Sequence, residues 1–366
     1  MIPIAHRLDK LNPSGIRKVF ALAATIKDPI NLSIGQPDFD VPDIVKETAR
    51  TAITAGFNRY TSTEGIPELH ARLLAFEKNR LGRDGALLVT SGVSGALALA
   101  FLSLVNPGDE VLIPDPYFVM YKHLVNLCGG VPRFINTYPD FRLREEAIRP
   151  LLSDRTKILI LNSPTNPTGA VMGRAEIEMA ARIARERKLL VISDEIYGAF
   201  AHDGPADSVA KLHSDTLVLN GFSKTWAMTG WRLGWAFGPG EVIEAMTRLQ
   251  QFTFVCAPSF AQKAALVALD TDVSGRVAEY RAKRDRVING LSPKFELAPP
   301  AGAFYAFPKA PWGTATEFVQ AAIAEKVLVI PGNVFSERDT HFRISYAAPD
   351  AVLDKGIAIL NQLADK

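Results

Sequence analysis

Short runs of apolar and β-branched residues alternate with segments of helical periodicity through the middle of the chain. Such runs, each followed by polar or turn-forming residues, are typical of strands that are buried on both faces. The predicted strands are Ala86–Thr90, Glu110–Pro114, Val131–Ile135, Lys157–Asn162, Leu189–Asp194, Thr216–Asn220 and Leu233–Phe237. Helical patterns such as Gly95–Val105 and Arg174–Arg187 lie between several of them. The alternation predicts an α/β fold, with a large domain whose mostly parallel, seven-stranded sheet is flanked by helices.

The pattern changes after about residue 268. A charged helical segment at Ser274–Leu291 leads to a turn rich in proline and glycine, then to short strands and a final amphipathic helix at Pro349–Ala364. The short strands are predicted at Phe295–Leu297, Phe304–Phe307, Val327–Ile330 and His341–Ser345. We therefore expect a smaller α+β domain built from residues 1–39 and 271–366, beside a large domain of residues 40–270.

Charge and composition exclude several classes of function. The 41 basic and 39 acidic side chains leave a net charge of only +2, which gives no electrostatic reason to expect binding to nucleic acid or to a membrane surface. Cys128 and Cys256 are too few for a disulfide framework, and no histidines stand at zinc-ligand spacing. Residues 1–10 do not resemble a signal peptide, and no apolar run reaches about 18 residues. We expect a cytoplasmic protein without a metal.

Two polar segments that follow predicted strands carry the first chemical signals. Lys224 and Arg232 stand eight positions apart, bracketed by Ser223 and glycines. An amine that forms an imine and a guanidinium that binds a phosphate could serve one anionic cofactor. Asp194 ends a strand, at the sheet edge where α/β proteins bind ligands. Its carboxylate could cap a helix, or it could face a pyridine nitrogen and keep that ring protonated.

Two further segments have the form of ligand-binding turns. Leu88–Gly95 reads as a strand, a glycine-containing turn and a helix start, where exposed N–H groups and the helix dipole favour an anion. It matches neither the phosphate-loop nor the dinucleotide fingerprint, nor the GxSxG nucleophile elbow, so nucleotide enzymes and serine hydrolases lose support. Asn162–Gly169 is a proline-stiffened turn, which could be purely structural or could hold an amide steady against a ligand oxygen.

Taken in order, the segments SPTNPTG, SDEIY and SKTWAMTGWRLG resemble the class I/II aminotransferases of fold type I, the aspartate aminotransferase family. The resemblance covers nearly the whole chain and includes Ser33–Phe39, Tyr60–Leu69, Pro300–Tyr305 and Phe342–Tyr346. It implies an enzyme that depends on pyridoxal 5'-phosphate and moves an amino group from an L-amino acid to a 2-oxo acid by ping-pong kinetics. The usual acceptor in the family is 2-oxoglutarate.

The resemblance implies roles for the residues that surround the cofactor ring. Lys224 would hold the cofactor as an imine and then move protons. Asp194 would pair with the pyridine nitrogen, while Asn166 and Tyr197 would bond the phenolic oxygen. Phe118 would stack on the ring.

The resemblance also implies how the phosphate and the substrate are bound. The phosphate would be held by Gly92, Val93, Ser94, Ser223 and Arg232. Tyr60 would reach the phosphate of the neighbouring subunit, which implies a homodimer with shared active sites. Arg343 would bind the substrate α-carboxylate, helped by the backbone at Gly35 and by Asn166.

Two kinds of alternative stay open. C–S β-lyases, cyclopropane-carboxylate synthases and decarboxylases use the same fold and cofactor residues, because fold and cofactor do not fix the reaction. A non-catalytic regulator that binds the cofactor belongs to another class. Such regulators carry an N-terminal helix-turn-helix, for which we expect no room before the SIGQPDF segment that begins at Ser33.

The choice of substrate is the least determined property. Ser94 stands where some aspartate-preferring relatives have a lysine, which argues against strict specificity for aspartate. Phe252, Phe254 and Val255 could line a pocket for neutral or aromatic side chains, or could simply pack in a core. Further candidate cations for an acidic substrate are Arg17, Lys18 and Lys122.

Overall fold

A computed structural model of the chain describes residues 2, 4–11, 15 and 26–366. The strands are β1 Ile30–Asn31, β2 Ala86–Thr90, β3 Glu110–Asp115, β4 Val131–Asn136, β5 Thr156–Asn162, β6 Leu190–Asp194, β7 Thr216–Gly221, β8 Gly234–Gly238, β9 Tyr305–Ala306, β10 Val327–Leu328, β11 Ile330–Pro331 and β12 Phe342–Ser345. The α-helices are α1 Asp43–Thr54, α2 Pro67–Leu81, α3 Gly92–Leu104, α4 Met120–Leu127, α5 Glu145–Ile148, α6 Arg174–Arg187, α7 Gly240–Gln251, α8 Ser259–Ala268, α9 Ser274–Leu291, α10 Ala315–Ala324 and α11 Asp350–Ala364. No helix in these described ranges is long and apolar enough to cross a bilayer.

The central element is a seven-stranded sheet in the order β2-β8-β7-β6-β5-β3-β4. Strands β7, β6, β5, β3 and β4 run parallel to one another, whereas β8 is antiparallel to both β2 and β7. The predicted α/β fold with a mostly parallel seven-stranded sheet is confirmed. The parallel strands place their carboxyl ends along one edge, which is where ligands bind in folds of this kind.

Helices cover both faces of this sheet. In β5, Ile158 and Ile160 pack into one core with residues of α3, α4 and α7, while Leu159 and Leu161 pack into another core with residues of α6. Successive side chains of a strand point to opposite faces, so a strand buried on both faces must be apolar throughout. This requirement explains the uninterrupted apolar runs in the sequence.

The remaining strands are short and form two smaller sheets. β11, β12 and β9 form an antiparallel sheet, and β1 pairs with β10 in parallel. The predicted strand Val327–Ile330 is therefore two strands with different partners. The predicted strand Phe295–Leu297 is wrong, because no strand forms there. Phe295 is buried by packing its ring against Phe318 and Phe342, so its apolar character serves the core rather than a sheet.

A buried ion network ties α2 to the end of β6. Glu77 is fully buried and accepts hydrogen bonds from Trp235 Nε1 at 2.8 Å and from Arg80 Nη2 at 2.7 Å. Arg80 Nη1 also lies 2.7 Å from Glu195 Oε2. Burial raises the pKa of Glu77, so its charge depends on the arginine. Because Glu195 directly follows Asp194, the network fixes the chain where the sheet ends.

Replacing Arg80 by Met should destabilise the protein by about 3–5 kcal/mol, because the buried carboxylates of Glu77 and Glu195 lose their cationic partner. The measurement is the free energy of unfolding by denaturant. The matched control is Arg50→Met, whose side chain is 72% exposed and pairs with Glu47 at 2.6 Å. Exposed pairs contribute about 0–1 kcal/mol, so the control should change little. Equal effects of the two substitutions would contradict the importance of the buried network.

Candidate active site

A cleft of about 940 Å³ opens at the carboxyl ends of β5, β6 and β7. The segments that carry the predicted site residues converge on it. Of those residues, the cleft is lined by Gly35, Val93, Ser94, Phe118, Asn166, Asp194, Tyr197, Ser223, Lys224, Arg232 and Arg343. The topology brings them together because each of β5, β6 and β7 ends at this edge, while β12 delivers Arg343 from the antiparallel sheet.

Lys224 lies three residues after β7, and its amine points into the cleft. Nζ donates a hydrogen bond to the carbonyl oxygen of Gly35 at 2.6 Å. Burial, together with the positive charges of Arg343 and Arg232, lowers the pKa of Lys224 to about 8, against the opposing effect of Asp194. An amine with this pKa is partly neutral near pH 8, and the neutral form is the nucleophile and base.

Asp194 is the last residue of β6 and is 3% exposed. Tyr121 donates a hydrogen bond from its hydroxyl to Oδ2 at 2.6 Å, and the backbone N–H of Ile196 lies 3.3 Å from Oδ1. Burial raises the pKa of Asp194 to about 6, although both hydrogen bonds lower it. Phe118 meets the Tyr121 ring edge-on, with the two ring centroids 5.6 Å apart. Asp194 is thus held by a buried donor at the base of the cleft.

Arg343 is 1% exposed and has no carboxylate partner within the part of the chain that the structure describes. Nη1 donates to the side-chain oxygen of Asn166 at 3.0 Å, and Nη2 donates to the carbonyl oxygen of Ser33 at 2.7 Å. Its Nε has no hydrogen-bond partner among the described residues, and the guanidinium lies over the rings of Tyr305 and Phe335 at 4.5 and 4.7 Å. A buried guanidinium in this state is suited to bind an anionic ligand.

A second anion site lies at the start of α3. Gly92 has a φ of +70°, and a Cβ added there would lie 2.7 Å from Arg232 Nη2. Glycine therefore lets the guanidinium of Arg232 approach the backbone that opens the helix. Ser94 and Ser223 line the cleft beside it. Backbone N–H groups at a helix start, an arginine and hydroxyls are the groups that bind phosphate in proteins.

Tyr197 and Tyr305 share a hydrogen bond between their hydroxyl groups, with the oxygens 2.9 Å apart. Both side chains are buried, and burial raises the pKa of each, so both hydroxyls stay protonated. A Cβ on Gly35 would lie 2.8 Å from the Tyr305 hydroxyl, so the Gly35 segment can only pass this closely as glycine. Tyr305 thus contacts Tyr197, Gly35 and the guanidinium of Arg343.

Some predicted residues do not line the cleft. Tyr60 is 83% exposed and lies outside it, as do the partly or largely exposed side chains of Phe252, Phe254 and Val255. Lys122 does not line the cleft, and its Nζ donates to Glu337 at 2.6 Å. Gly92 is not among the residues that line the cleft, although its backbone adjoins the side chain of Arg232. The candidate cations Arg17 and Lys18 lie outside the described residues.

Tyr121 and Tyr305 also line the cleft and were not predicted as site residues from the sequence. Tyr305 lies within a segment that resembles the family, but the residues around it in the sequence do not predict its contact with Tyr197. Tyr121 had a usable signal, because it follows Phe118 by three residues and so lies on the same side of a helical turn. Since each contact crosses a long sequence distance, neither could be derived from spacing alone.

The cleft carries an excess of positive charge. Among the described residues that line it, the cations are Lys224, Arg232 and Arg343, and the one carboxylate is Asp194. An uncompensated buried charge is costly, so the arrangement favours a ligand that brings negative charge. The two anion sites, at Arg232 and at Arg343, both lie close enough to Lys224 for their charges to lower its pKa.

Sequence comparison places this geometry in a known family. The family model for aminotransferase class I and II matches residues 27–360. The chain belongs to the class I and II aminotransferases. The aspartate aminotransferase of Pyrococcus abyssi is 38% identical, with 97% of this chain and 96% of that protein covered. The aromatic-amino-acid aminotransferase 2 of Thermococcus litoralis is 37% identical, with 97% and 96% covered.

Solved structures agree with the family assignment. The chain superposes on the aspartate aminotransferase of Thermus thermophilus determined with maleate with a TM-score of 0.95. The two are 34% identical, and the match covers 99% of this chain and 100% of that one. The fold predicted from the sequence is thus that of a fold type I aminotransferase, a family of enzymes that depend on pyridoxal phosphate.

The lowered pKa of Lys224 can be measured in the cofactor-free aminotransferase. Acetic anhydride reacts with neutral amines, so labelling of Lys224 should rise through pH 8 and level off above it. Lys46 is the internal control, since its hydrogen bond to Asp40 raises its pKa above the ordinary value for lysine. Labelling of each residue is followed by peptide mass spectrometry. If Lys224 and Lys46 gained label over the same pH range, the cleft would not depress the pKa of Lys224.

Proposed function

We propose that this aminotransferase binds pyridoxal 5'-phosphate and transfers an amino group from an L-amino acid to a 2-oxo acid, with 2-oxoglutarate as the acceptor. The observation that carries the proposal is that the Lys224 amine shares one cleft with the carboxylate of Asp194 and the guanidinium groups of Arg232 and Arg343, whose charges all act on it. A phosphate and a substrate carboxylate would supply the negative charge that this cleft lacks. The family assignment supports the same cofactor.

The donor set fits the cofactor group by group. Arg232 and Ser223, with the backbone at Gly92, Val93 and Ser94, would hold the phosphate. Asp194 would pair with the ring nitrogen, Asn166 and Tyr197 would bond the phenolic oxygen, and Phe118 would cover a ring face. When bound, the cofactor supplies an aldehyde that condenses with amines and a protonated ring that withdraws electrons from the substrate Cα.

Lys224 would act as the general base. With cofactor and substrate bound, its Nζ would take the proton from the substrate Cα and hold it. A pKa of about 8 suits this role, because the amine is available as a base near neutral pH and still returns its proton readily. The negative charge of Asp194 favours a protonated ring throughout.

Arg343 would orient the substrate. Its Nη1 and Nη2 bond to Asn166 and to Ser33 while Nε has no protein partner, so a carboxylate bound here would complete the set of hydrogen bonds. A fixed carboxylate fixes the rotation about the bond between the substrate nitrogen and Cα, and this rotation decides which Cα bond breaks. Loss of the proton rather than of the carboxylate is the outcome that an aminotransferase requires.

Adding single amino acids to the enzyme without an acceptor tests the reaction. A donor should change the visible absorption of the bound cofactor, and a 2-oxo acid should restore it, which would identify the substrates directly. Aspartate, alanine, aromatic amino acids and methionine are the donors to compare. If ammonia and a 2-oxo acid accumulated without an acceptor instead, the enzyme would be a β-lyase.

In the same assay, Arg343→Ala should lower kcat/KM for the donor by about a hundredfold to a thousandfold, because the α-carboxylate loses two charge-assisted hydrogen bonds. Arg343→Lys should recover only part of this loss, because an ammonium cannot bind two oxygens in the same fork. The control is Arg286→Ala, a surface arginine that pairs with Asp354 at 2.7 Å. If Arg343→Ala kept normal kcat/KM, the carboxylate would be bound elsewhere.

The enzyme is proposed to work as a cytoplasmic homodimer whose subunits share active sites. Tyr60 is 83% exposed and Phe252 is 82% exposed, which is unusual for large aromatic side chains. The segments that carry them meet where Thr61 N lies 3.5 Å from Cys256 Sγ. This surface would pack against a second copy of the chain, and Tyr60 would reach the phosphate in the partner's cleft. The proposed large domain, residues 40–270, carries Lys224, and the small domain, residues 1–39 and 271–366, carries Arg343.

Mixed dimers test whether active sites are shared. Lys224→Ala and Tyr60→Ala should each reduce activity, but mixing the two variants should restore about a quarter of it. About half of the dimers would then be mixed, and each would hold one site with both residues intact. The control pairs Lys224→Ala with Arg232→Ala, where no intact site can form because both residues act in their own chain. Mixed dimers of the first pair that stayed inactive would overturn the role of Tyr60.

A further inference from the structure

Tyr121 has a position that the proposed reaction does not yet use. It lies on α4, 2% exposed, and its hydroxyl donates to Asp194 Oδ2 at 2.6 Å. The ring is held from the side by Phe118 at a centroid distance of 5.6 Å. Within the described residues, two groups donate hydrogen bonds to the Asp194 carboxylate. One is the hydroxyl of Tyr121, and the other is the backbone N–H of Ile196.

The charges around Asp194 make that hydrogen bond important. The negative charge of Glu195, its neighbour in the chain, disfavours the ionised form of Asp194, whereas the positive charge of Lys224 favours that form. Tyr197 also lies close enough to interact with Asp194, and burial raises the pKa of Tyr197, so it stays neutral. Burial itself disfavours the ionised carboxylate. Tyr121 therefore supplies a donor that favours the ionised form, and the burial of Tyr121 keeps its own proton in place.

We propose that Tyr121 is a positioning residue that keeps Asp194 ionised and turned toward the cofactor ring. This inference rests on the proposed function, in which Asp194 pairs with the ring nitrogen. The ring nitrogen and Asp194 compete for one proton. A hydrogen bond that stabilises the carboxylate leaves the proton on the ring, where it is needed to accept electrons from the substrate. Without Tyr121, the proton would move toward Asp194 and the ring would become a weaker acceptor.

The test is Tyr121→Phe, which removes one oxygen atom and keeps the packing against Phe118. In the cofactor-free protein, carbon-13 NMR of labelled aspartate should show the pKa of Asp194 raised by about one to two, as expected for the loss of a charge-assisted bond. In the holoenzyme, nitrogen-15 NMR of ring-labelled cofactor should show a less protonated ring. The kcat should fall by about tenfold to a hundredfold, with little change in KM.

Tyr117→Phe is the matched control. Tyr117 belongs to the same segment, is 4% exposed and donates to a carboxylate oxygen of Glu337 at 2.6 Å. Its removal should leave the pKa of Asp194 and the ring nitrogen unchanged. A fluorinated tyrosine at position 121, a stronger donor of similar size, should lower the pKa of Asp194. This opposite shift cannot result from misfolding.

The outcomes separate the inference from the proposed function. If the unsubstituted holoenzyme had an unprotonated ring nitrogen, the pairing with Asp194 would be wrong, and this inference would fall with it. If the ring were protonated there and equally protonated in Tyr121→Phe, with the pKa of Asp194 and kcat unchanged, only the role of Tyr121 would be overturned. A raised pKa of Asp194 with a less protonated ring would support it.

Discussion

The structure is organised around an excess of positive charge in a buried cleft. Lys224, Arg232 and Arg343 face a single carboxylate, Asp194, among the described residues that line it. Burying charge without a partner is costly, so the neighbouring groups must hold each cation in place. The guanidinium of Arg343 lies over two aromatic rings and donates to the carbonyl oxygen of Ser33 and the side-chain oxygen of Asn166. Lys224 and Arg232 each donate to a backbone carbonyl oxygen. A cleft built this way favours ligands that carry several negative charges.

The fold meets this requirement by bringing rigid elements to one edge. Asp194 ends β6, and Lys224 and Arg232 stand on either side of the turn between β7 and β8. Arg343 comes from β12, in a separate antiparallel sheet, so the anion sites at the two arginines belong to different sheets. Behind Asp194, the ion network from Glu77 to Glu195 fixes the end of β6 in the core. The polar groups of the cleft are therefore held by strands and by buried contacts, which is what preorganises a catalytic site.

How much of this could be predicted depends on how local each feature is. The strands were found because burial on both faces leaves an apolar run, and Lys224 and Asp194 because each closely follows such a run. Arg343 came from resemblance, since an arginine in a short strand has no local signal. Tyr121 and Tyr305 were missed because their contacts join residues far apart in sequence. The strand at Phe295–Leu297 was wrong for a related reason, because an apolar run shows burial but not the backbone that achieves it.

The titratable groups of the cleft also explain why proton movement should be confined to one of them. Burial raises the pKa of Tyr121, Tyr197 and Tyr305, so their hydroxyls act as hydrogen-bond donors rather than as acids. Asp194, with a pKa of about 6 and a buried donor, is mainly ionised at neutral pH. Lys224, with a pKa of about 8, is the group that exchanges a proton most readily under these conditions. Environments that push the pKa values of neighbouring groups apart thus assign a fixed charge to one residue and proton transfer to another.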